Sequence, residues 1–541
     1  MKVSVNIISL QSFILLISLL SVVWAEKQWT RQLKTKWSNR TVYEFKNVEY
    51  GVYFSDKRKF LPSFDKSSFE NSINGNLERN NSSGLLQPLH VTVYTPNISS
   101  KKPVMVHIGD YDLLYATADS ASPGFLLEKD IVLVSVEYRT GAKGFLSMRN
   151  EQIPGNAGVF DILLALKWVQ KNIEQYGGDP DRVTLFGQYK VAGVIHVLTL
   201  SDLAKDLFHQ VILQSGSALL KNFTSSNPIL ISREVGSALK CKDVHNKIRL
   251  TKCLVEANDV DLSAAYSKVW DMHKGNIPFI TIGGPSNLLN ESPEQIHRSG
   301  QFRIYPKIIG FVDQPSAYFL DFFDPTPEKS SFFTLDRFAK DATSFVKLAG
   351  EIFGESNWER LMPNASSLAQ LENADPKTLR HTFNLVLTSI LDWSSLYVKS
   401  AIYYTGFLNK TPKTFAYTFK YNGKHHTLPL RRSNLLNGAM LLDDDRYLFD
   451  SYADELNESD TKIAKLMVDF WTSFAATGKP LSEGIVDWPE VKVGKDEYLI
   501  IDDEVSAERD FINELQSATK TYLDESDNKI LREYGTKVHV E

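Results

Sequence analysis

Apolar and polar residues alternate along Leu89-His90-Val91-Thr92-Val93-Tyr94, the two-residue period of a strand with one covered face. The runs Val104-Met105-Val106-His107-Ile108 and Ile131-Val132-Leu133-Val134-Ser135-Val136 are apolar almost throughout, as in strands covered on both faces. Val183-Thr184-Leu185-Phe186 reads as a further strand. Between the last two, Phe160 to Val169 carries apolar residues at helical spacing with no breaker. Strand, helix, strand predicts a right-handed parallel crossover and therefore an α/β sheet. Later helices are expected at Leu379 to Tyr404, at Thr461 to Ala476 and along Ala507 to Arg532. Ser63 to Gly84, rich in Ser, Asn and charge, reads as an exposed loop.

The N-terminus has Met1-Lys2, an apolar run from about Ile7 to Val23, then Val23-Trp24-Ala25 before Glu26. This is the pattern of a signal peptide spanning residues 1–25, with 26–541 expected as one domain because no repeat or composition shift divides it. No later apolar run reaches spanning length, and the C-terminus lacks the tail of a lipid-anchor signal, so a secreted, extracellular protein without a membrane span is expected.

Composition narrows the classes. Of 541 residues, 43% are hydrophobic and 23% charged, enough for a large core and against wholesale disorder. A net charge of −5 and the lack of a basic tail give no global footprint for nucleic acid, which is not expected as a partner. Glycosylation acceptors agree with the secretory route: Asn39, Asn80, Asn81, Asn97, Asn222, Asn290, Asn364, Asn409 and Asn457 each begin Asn-x-Ser/Thr. Asn80 and Asn81 overlap, so one of the two is expected to be used. The 2 cysteines, Cys241 and Cys253, enclose a short polar loop and are expected to form a local disulfide. They cannot build a structural zinc site alone, and neither metal nor cofactor is implied.

The segment Val183-Thr184-Leu185-Phe186-Gly187-Gln188-Tyr189-Lys190-Val191 runs from strand through a tight turn into a helix starting near Val191. That is the layout of a nucleophile elbow, in which small residues flank a serine held above the sheet. Tyr189 stands at the nucleophile position, and Val191 replaces the second glycine. A phenol is mostly protonated near neutral pH, with a reference pKa of about 10, and is a poor acyl carrier because it leaves readily.

The chain resembles the type-B carboxylesterase and cholinesterase family, including its inert adhesion members neurotactin, glutactin, gliotactin and the neuroligins. Val136-Glu137-Tyr138-Arg139-Thr140-Gly141-Ala142-Lys143-Gly144-Phe145-Leu146-Ser147 carries that resemblance, with Pro154 to Gly158, Ala165 to Val169 and Tyr176 to Pro180. Gln214-Ser215-Gly216-Ser217, Gly310 to Leu320, Gly438 to Phe449 and Phe470 to Pro489 follow in family order. The resemblance implies an α/β-hydrolase fold with a large, mostly parallel central sheet flanked by helices. It also implies a serine, acid and histidine in that order, an oxyanion hole of glycines, and pairing of two copies through a bundle that uses the C-terminal helix.

On that alignment the triad positions are degenerate, with Tyr189, Pro315 and Leu441 at nucleophile, acid and base. The oxyanion segment reads Gly109-Asp110-Tyr111-Asp112, whose carboxylates would oppose a developing oxyanion. No serine lies between Ser147 and Ser201 and no histidine between His426 and His539, so local slippage restores neither role. The expectation is therefore no enzyme activity by the family mechanism. Gln188 is expected to satisfy local hydrogen bonds, Tyr189 to pack into the former gorge, and His107, His196 and His209 to be structural. His425-His426 with Asp443-Asp444-Asp445 is read as solvated loop charge and not a metal site. Three functions stay open: surface recognition of an extracellular protein partner, carriage of a small apolar ligand, and hydrolysis by a displaced mechanism.

Overall fold

The computed structural model describes residues 29–65, 86–110, 112–114, 122–220, 222–273, 275–300, 302–315, 344, 375, 413–424, 426, 438–450, 456–485, 487–491 and 497–509. The strands are β1 (Arg31–Lys34), β2 (Thr41–Phe54), β3 (Leu86–Thr95), β4 (Lys102–Ile108), β5 (Val132–Val136), β6 (Gly178–Gln188) and β7 (Gln210–Gln214). They continue with β8 (Thr224–Ser225), β9 (Ile280–Thr281), β10 (Lys307–Val312), β11 (Thr414–Phe419), β12 (Tyr498–Ile501) and β13 (Ser506–Glu508). Among the described residues one 11-stranded sheet has the order β1-β2-β3-β5-β4-β6-β7-β10-β11-β12-β13. Every neighbouring pair from β5 to β12 is parallel, and the pairs at both margins are antiparallel. β8 and β9 form a separate short parallel ladder.

The helices used below are α1 (Gly141–Phe145), α2 (Ala157–Asn172), α3 (Lys190–Leu200), α4 (Ile229–Ala238), α5 (Lys247–Glu256), α6 (Asp259–Met272), α7 (Pro293–Ser299) and α8 (Glu458–Thr477). Strand periodicity sorts the core into two layers. Val104, Val106 and Ile108 of β4 belong to one apolar cluster with Val159 and Ile162 of α2 and Val191 and Ile195 of α3. Met105, pointing the other way, joins Phe470, Trp471 and Phe474 of α8. With helices on both faces, β5 and β7 are buried throughout and β4 from Pro103 onward, which is why the central strands read as nearly unbroken apolar runs.

The crossover lies where periodicity puts it. β5 and β6 flank β4, both parallel to it, with α2 between them in sequence. The helix expected at Thr461 to Ala476 is α8, opened by a capping box between Asn457 and Asp460 and closed by Gly478 at φ 71°. The helix expected from Ala507 needs correction at its start. Ser506–Glu508 is an edge strand, because Leu499 and Ala507 are register partners in an antiparallel pair. Residues 1–25, most of the Ser63 to Gly84 loop, Leu379 to Tyr404 and the remainder of the C-terminal stretch lie outside the described residues.

Candidate functional site

β6 ends at Gln188, α3 begins at Lys190, and Tyr189 makes the whole turn between them at φ 54°, ψ −118°. This is an unfavourable conformation for a residue with a side chain, and its surroundings hold it. The Tyr189 amide donates to the Gln214 carbonyl at 2.8 Å, and the Gly193 amide donates to the Tyr189 carbonyl at 3.2 Å. Two glycines make the turn sterically possible. A Cβ at Gly216 would sit 1.8 Å from the Tyr189 carbonyl oxygen, and one at Gly187 would meet Val191 Cγ1 at 2.5 Å.

The Tyr189 side chain is built into the interior, 7% exposed, in the same apolar cluster as Leu441, Trp270 and Phe279. Burial, and then the charge of Asp112, push its phenol well above the usual range. Beside it the Lys190 Nζ donates to Asp112 Oδ1 at 3.0 Å, both side chains being largely buried. The ammonium also lies over three rings, 5.2 Å from Tyr189, 5.3 Å from Trp270 and 4.9 Å from Phe279. The oxyanion segment is thus tied to the elbow, and the Asp112 carboxylate expected to oppose an oxyanion is paired with a lysine to which the sequence reading assigned no role. A lone cation immediately before the apolar run Val191 to Leu198 was the available signal. Asp110 turns the chain at φ 66°, the Tyr138 hydroxyl donates to the Gly109 carbonyl at 2.9 Å, and Tyr111 lies outside the described residues.

The structure brings the acid-position and base-position loops together. Gln314 bridges to Met440 and donates its amide to the Ala439 carbonyl at 3.0 Å, while Asp313 Oδ1 accepts from the Ala439 amide at 2.8 Å. Pro315 and Leu441, each beside one of these contacts, are both buried.

The reading of Asp443-Asp444-Asp445 as solvated charge is corrected. Asp443 Oδ2 accepts from the Met440 amide at 2.9 Å and lies 2.7 Å from His426 Nδ1. Asp444, fully buried, accepts from the Tyr417 hydroxyl at 2.6 Å, from Gln214 Nε2 at 3.3 Å and from Gln188 Nε2. Gln214 in turn accepts from Trp471 Nε1 at 3.3 Å. Desolvation raises the Asp444 carboxyl to about 6 despite these donors. Gln188 therefore has the hydrogen-bonding part expected of it, binding the elbow to the loop that follows Leu441. Among the described residues no group of three or more His, Cys, Asp or Glu could hold a metal ion, and His425 is not described.

The other histidines fall in packed places. His107 lies between the rings of Phe186 and Phe449, and burial lowers it to about 4. His196 of α3 accepts the Ala218 amide on Nδ1 at 3.1 Å, which leaves its proton on Nε2, 2.8 Å from His297 Nε2 of α7. His209, half-buried, accepts the Val183 amide at 3.2 Å. Cys241 and Cys253 form a disulfide with Cα atoms 5.9 Å apart. Asn39, Asn97, Asn222, Asn290 and Asn457 are exposed, and Asn80, Asn81, Asn364 and Asn409 lie outside the described residues.

A doubly covered, mostly parallel sheet with a strand–turn–helix elbow is an α/β-hydrolase. Its fold matches the structure of juvenile hormone esterase from Manduca sexta with OTFP covalently attached, at a TM-score of 0.66 and 20% identity, over 94% of this chain and 97% of that one. The chain belongs to the carboxylesterase family, whose profile matches residues 31–519. It is 28% identical to Glutactin of Drosophila melanogaster over 422 residues, covering 74% of this chain and 40% of that protein. Juvenile hormone esterase of Tribolium castaneum is 29% identical over 77% of this chain and 74% of its own length. Carboxylesterase 1E of Rattus norvegicus is 28% identical over 74% and 72%.

These matches correct the expectation that the chain is not an enzyme. The relatives it resembles are mostly named as esterases, and the family to which it belongs is defined by carboxylesterases. No helix among the described residues is long and apolar enough to cross a membrane.

Proposed function

We propose that this carboxylesterase-family protein is secreted and acts by surface recognition of an extracellular partner. The observation that carries the reading is the elbow: Tyr189 is packed among core side chains, beside the buried Lys190–Asp112 pair, instead of standing free above the sheet. Such packing supports a structural use of the turn, leaving the outer surface as the place of contact. The signal-like N-terminus, the exposed sequons and the likeness to Glutactin, a relative not named as a hydrolase, support the same reading.

The test is binding of the multimerised chain Glu26 to Glu541 to a panel of native cells and receptor ectodomains, with hydrolysis of nitrophenyl esters measured in parallel. Saturable, protease-sensitive binding is expected. Absence of binding on every surface, or ester turnover that Tyr189→Phe abolishes, would overturn the reading. Release of a small apolar molecule in native mass spectrometry, without cell binding, would replace it with carriage.

A further inference from the structure

We propose that the disulfide-closed segment Lys240 to Cys253 is a docking surface for a sulfated glycosaminoglycan. The inference rests on the extracellular reading above and names the chemistry of one partner. Lys240, Lys242, Lys247, Arg249 and Lys252 are all exposed within this segment, whose one acid, Asp243, pairs with Arg249 at 3.2 Å. The whole chain carries a net −5, so the local excess of cations opposes the sign of the molecule.

A run of lysines is ordinarily a solvated face. Several lysines elsewhere in this protein, however, are neutralised in place. Lys57 pairs with Glu256, Lys59 and Lys143 with Asp259, Lys102 with Asp130 and Lys129 with Asp469. Lys240, Lys242, Lys247 and Lys252 make no ion pair among the described residues.

The frame beneath them is rigid. The Cys241 amide donates to the Gly236 carbonyl at the end of α4, the disulfide joins Cys241 to α5, and Asn246 caps α5 by accepting the Ile248 and Arg249 amides at 3.1 Å each. The ammonium groups are thus held on one short, covalently closed stretch, and little backbone ordering remains to oppose binding. No sequon falls between Asn222 and Asn290, so the segment itself carries no glycan acceptor.

The charge pattern selects the ligand. Separate point charges on flexible stems suit a polymer bearing repeated monovalent anions better than a single bidentate phosphate or carboxylate, which arginine forks recognise. Anionic lipid is the poorer match, because it is concentrated in the cytoplasmic leaflet, away from a secreted protein.

The experiment measures binding of the glycosylated chain Glu26 to Glu541 to immobilised heparin oligosaccharides across a NaCl series. Saturable binding that weakens with salt is expected. The variant K240S/K242S/K247S/K252S should bind at least about tenfold more weakly, with a log–log salt slope shallower by roughly three. A charge-matched control at exposed lysines elsewhere, K167S/K171S/K205S/K479S, should bind like the parent. On the unmodified chain, the oligosaccharide should shield Lys240, Lys242, Lys247 and Lys252 from acetylation, which keeps the test independent of variant folding. Equal loss in both variants, absence of shielding, or capture by phosphatidylserine vesicles but not by heparin would overturn the proposal. Cell binding that survives both heparinase and the patch variant would also overturn it, while leaving surface recognition standing.

Discussion

At the residue scale, Lys190 does most to define the elbow. Its ammonium and the Asp112 carboxylate are each removed from water, and each is tolerable because the other is 3.0 Å away. Lys190→Met leaves the aromatic surroundings filled but takes away the ammonium that faces the buried Asp112 carboxylate. A loss of about 3–5 kcal/mol in urea unfolding is expected. The double variant Lys190→Met/Asp112→Leu should recover much of that loss, since no charge is then left behind. Additive losses would mean that the two side chains act independently. Lys190 follows the elbow in plain view in the sequence, but its partner is 78 residues away and no local pattern pairs them.

At the element scale, α3 is joined to α7 by His196 and His297, with Lys307 of β10 acting on both. Burial first, then His297 and Lys307, hold His196 well below its usual range; burial and Lys307 lower His297 to about 3. The neutral pair suits the fold, whereas the unfolded chain protonates both rings below about pH 6.5. With folded values depressed, the unfolded state binds more protons as pH falls, so stability decreases from about pH 6.5 toward the folded values. One ring contributes a loss of about 2 kcal/mol by pH 5. His297→Gln, which keeps a polar atom facing His196, should flatten the fall between pH 7 and 5 in chemical denaturation, and an unchanged slope would remove the pair from the acid response. Asp444, raised to about 6, shifts stability the other way in this window, so only the difference between variant and parent isolates the histidine. The histidines were legible as core residues from their apolar neighbours, but their contact was not.

At the scale of the whole molecule, the sheet decides which distant segments meet, and the surface decides where glycans fall. Asn39, Asn97, Asn222, Asn290 and Asn457 project from loops and helix ends in exposed positions. Peptide-N-glycosidase digestion in heavy-oxygen water, followed by peptide mapping, should find asparagine converted to labelled aspartate at these positions. Unconverted asparagine at all of them would overturn the secretory route. The central strands, α2, α8, the elbow and the disulfide were readable from the chain alone, because periodicity, glycine placement and close cysteine spacing report on backbone geometry within a few residues. The order of motifs likewise carried the family. What only the tertiary structure decided is the use of those parts. Asp444 looked like solvated charge until β7 and β11 surrounded it with Gln214 and Tyr417, and Gln188 reached it across 256 residues. The strand order, with β4 between β5 and β6 and β10 beside β7, brings such residues together. Desolvation and ion pairing then set their charge, and those depend on neighbours in space that no sequence period encodes.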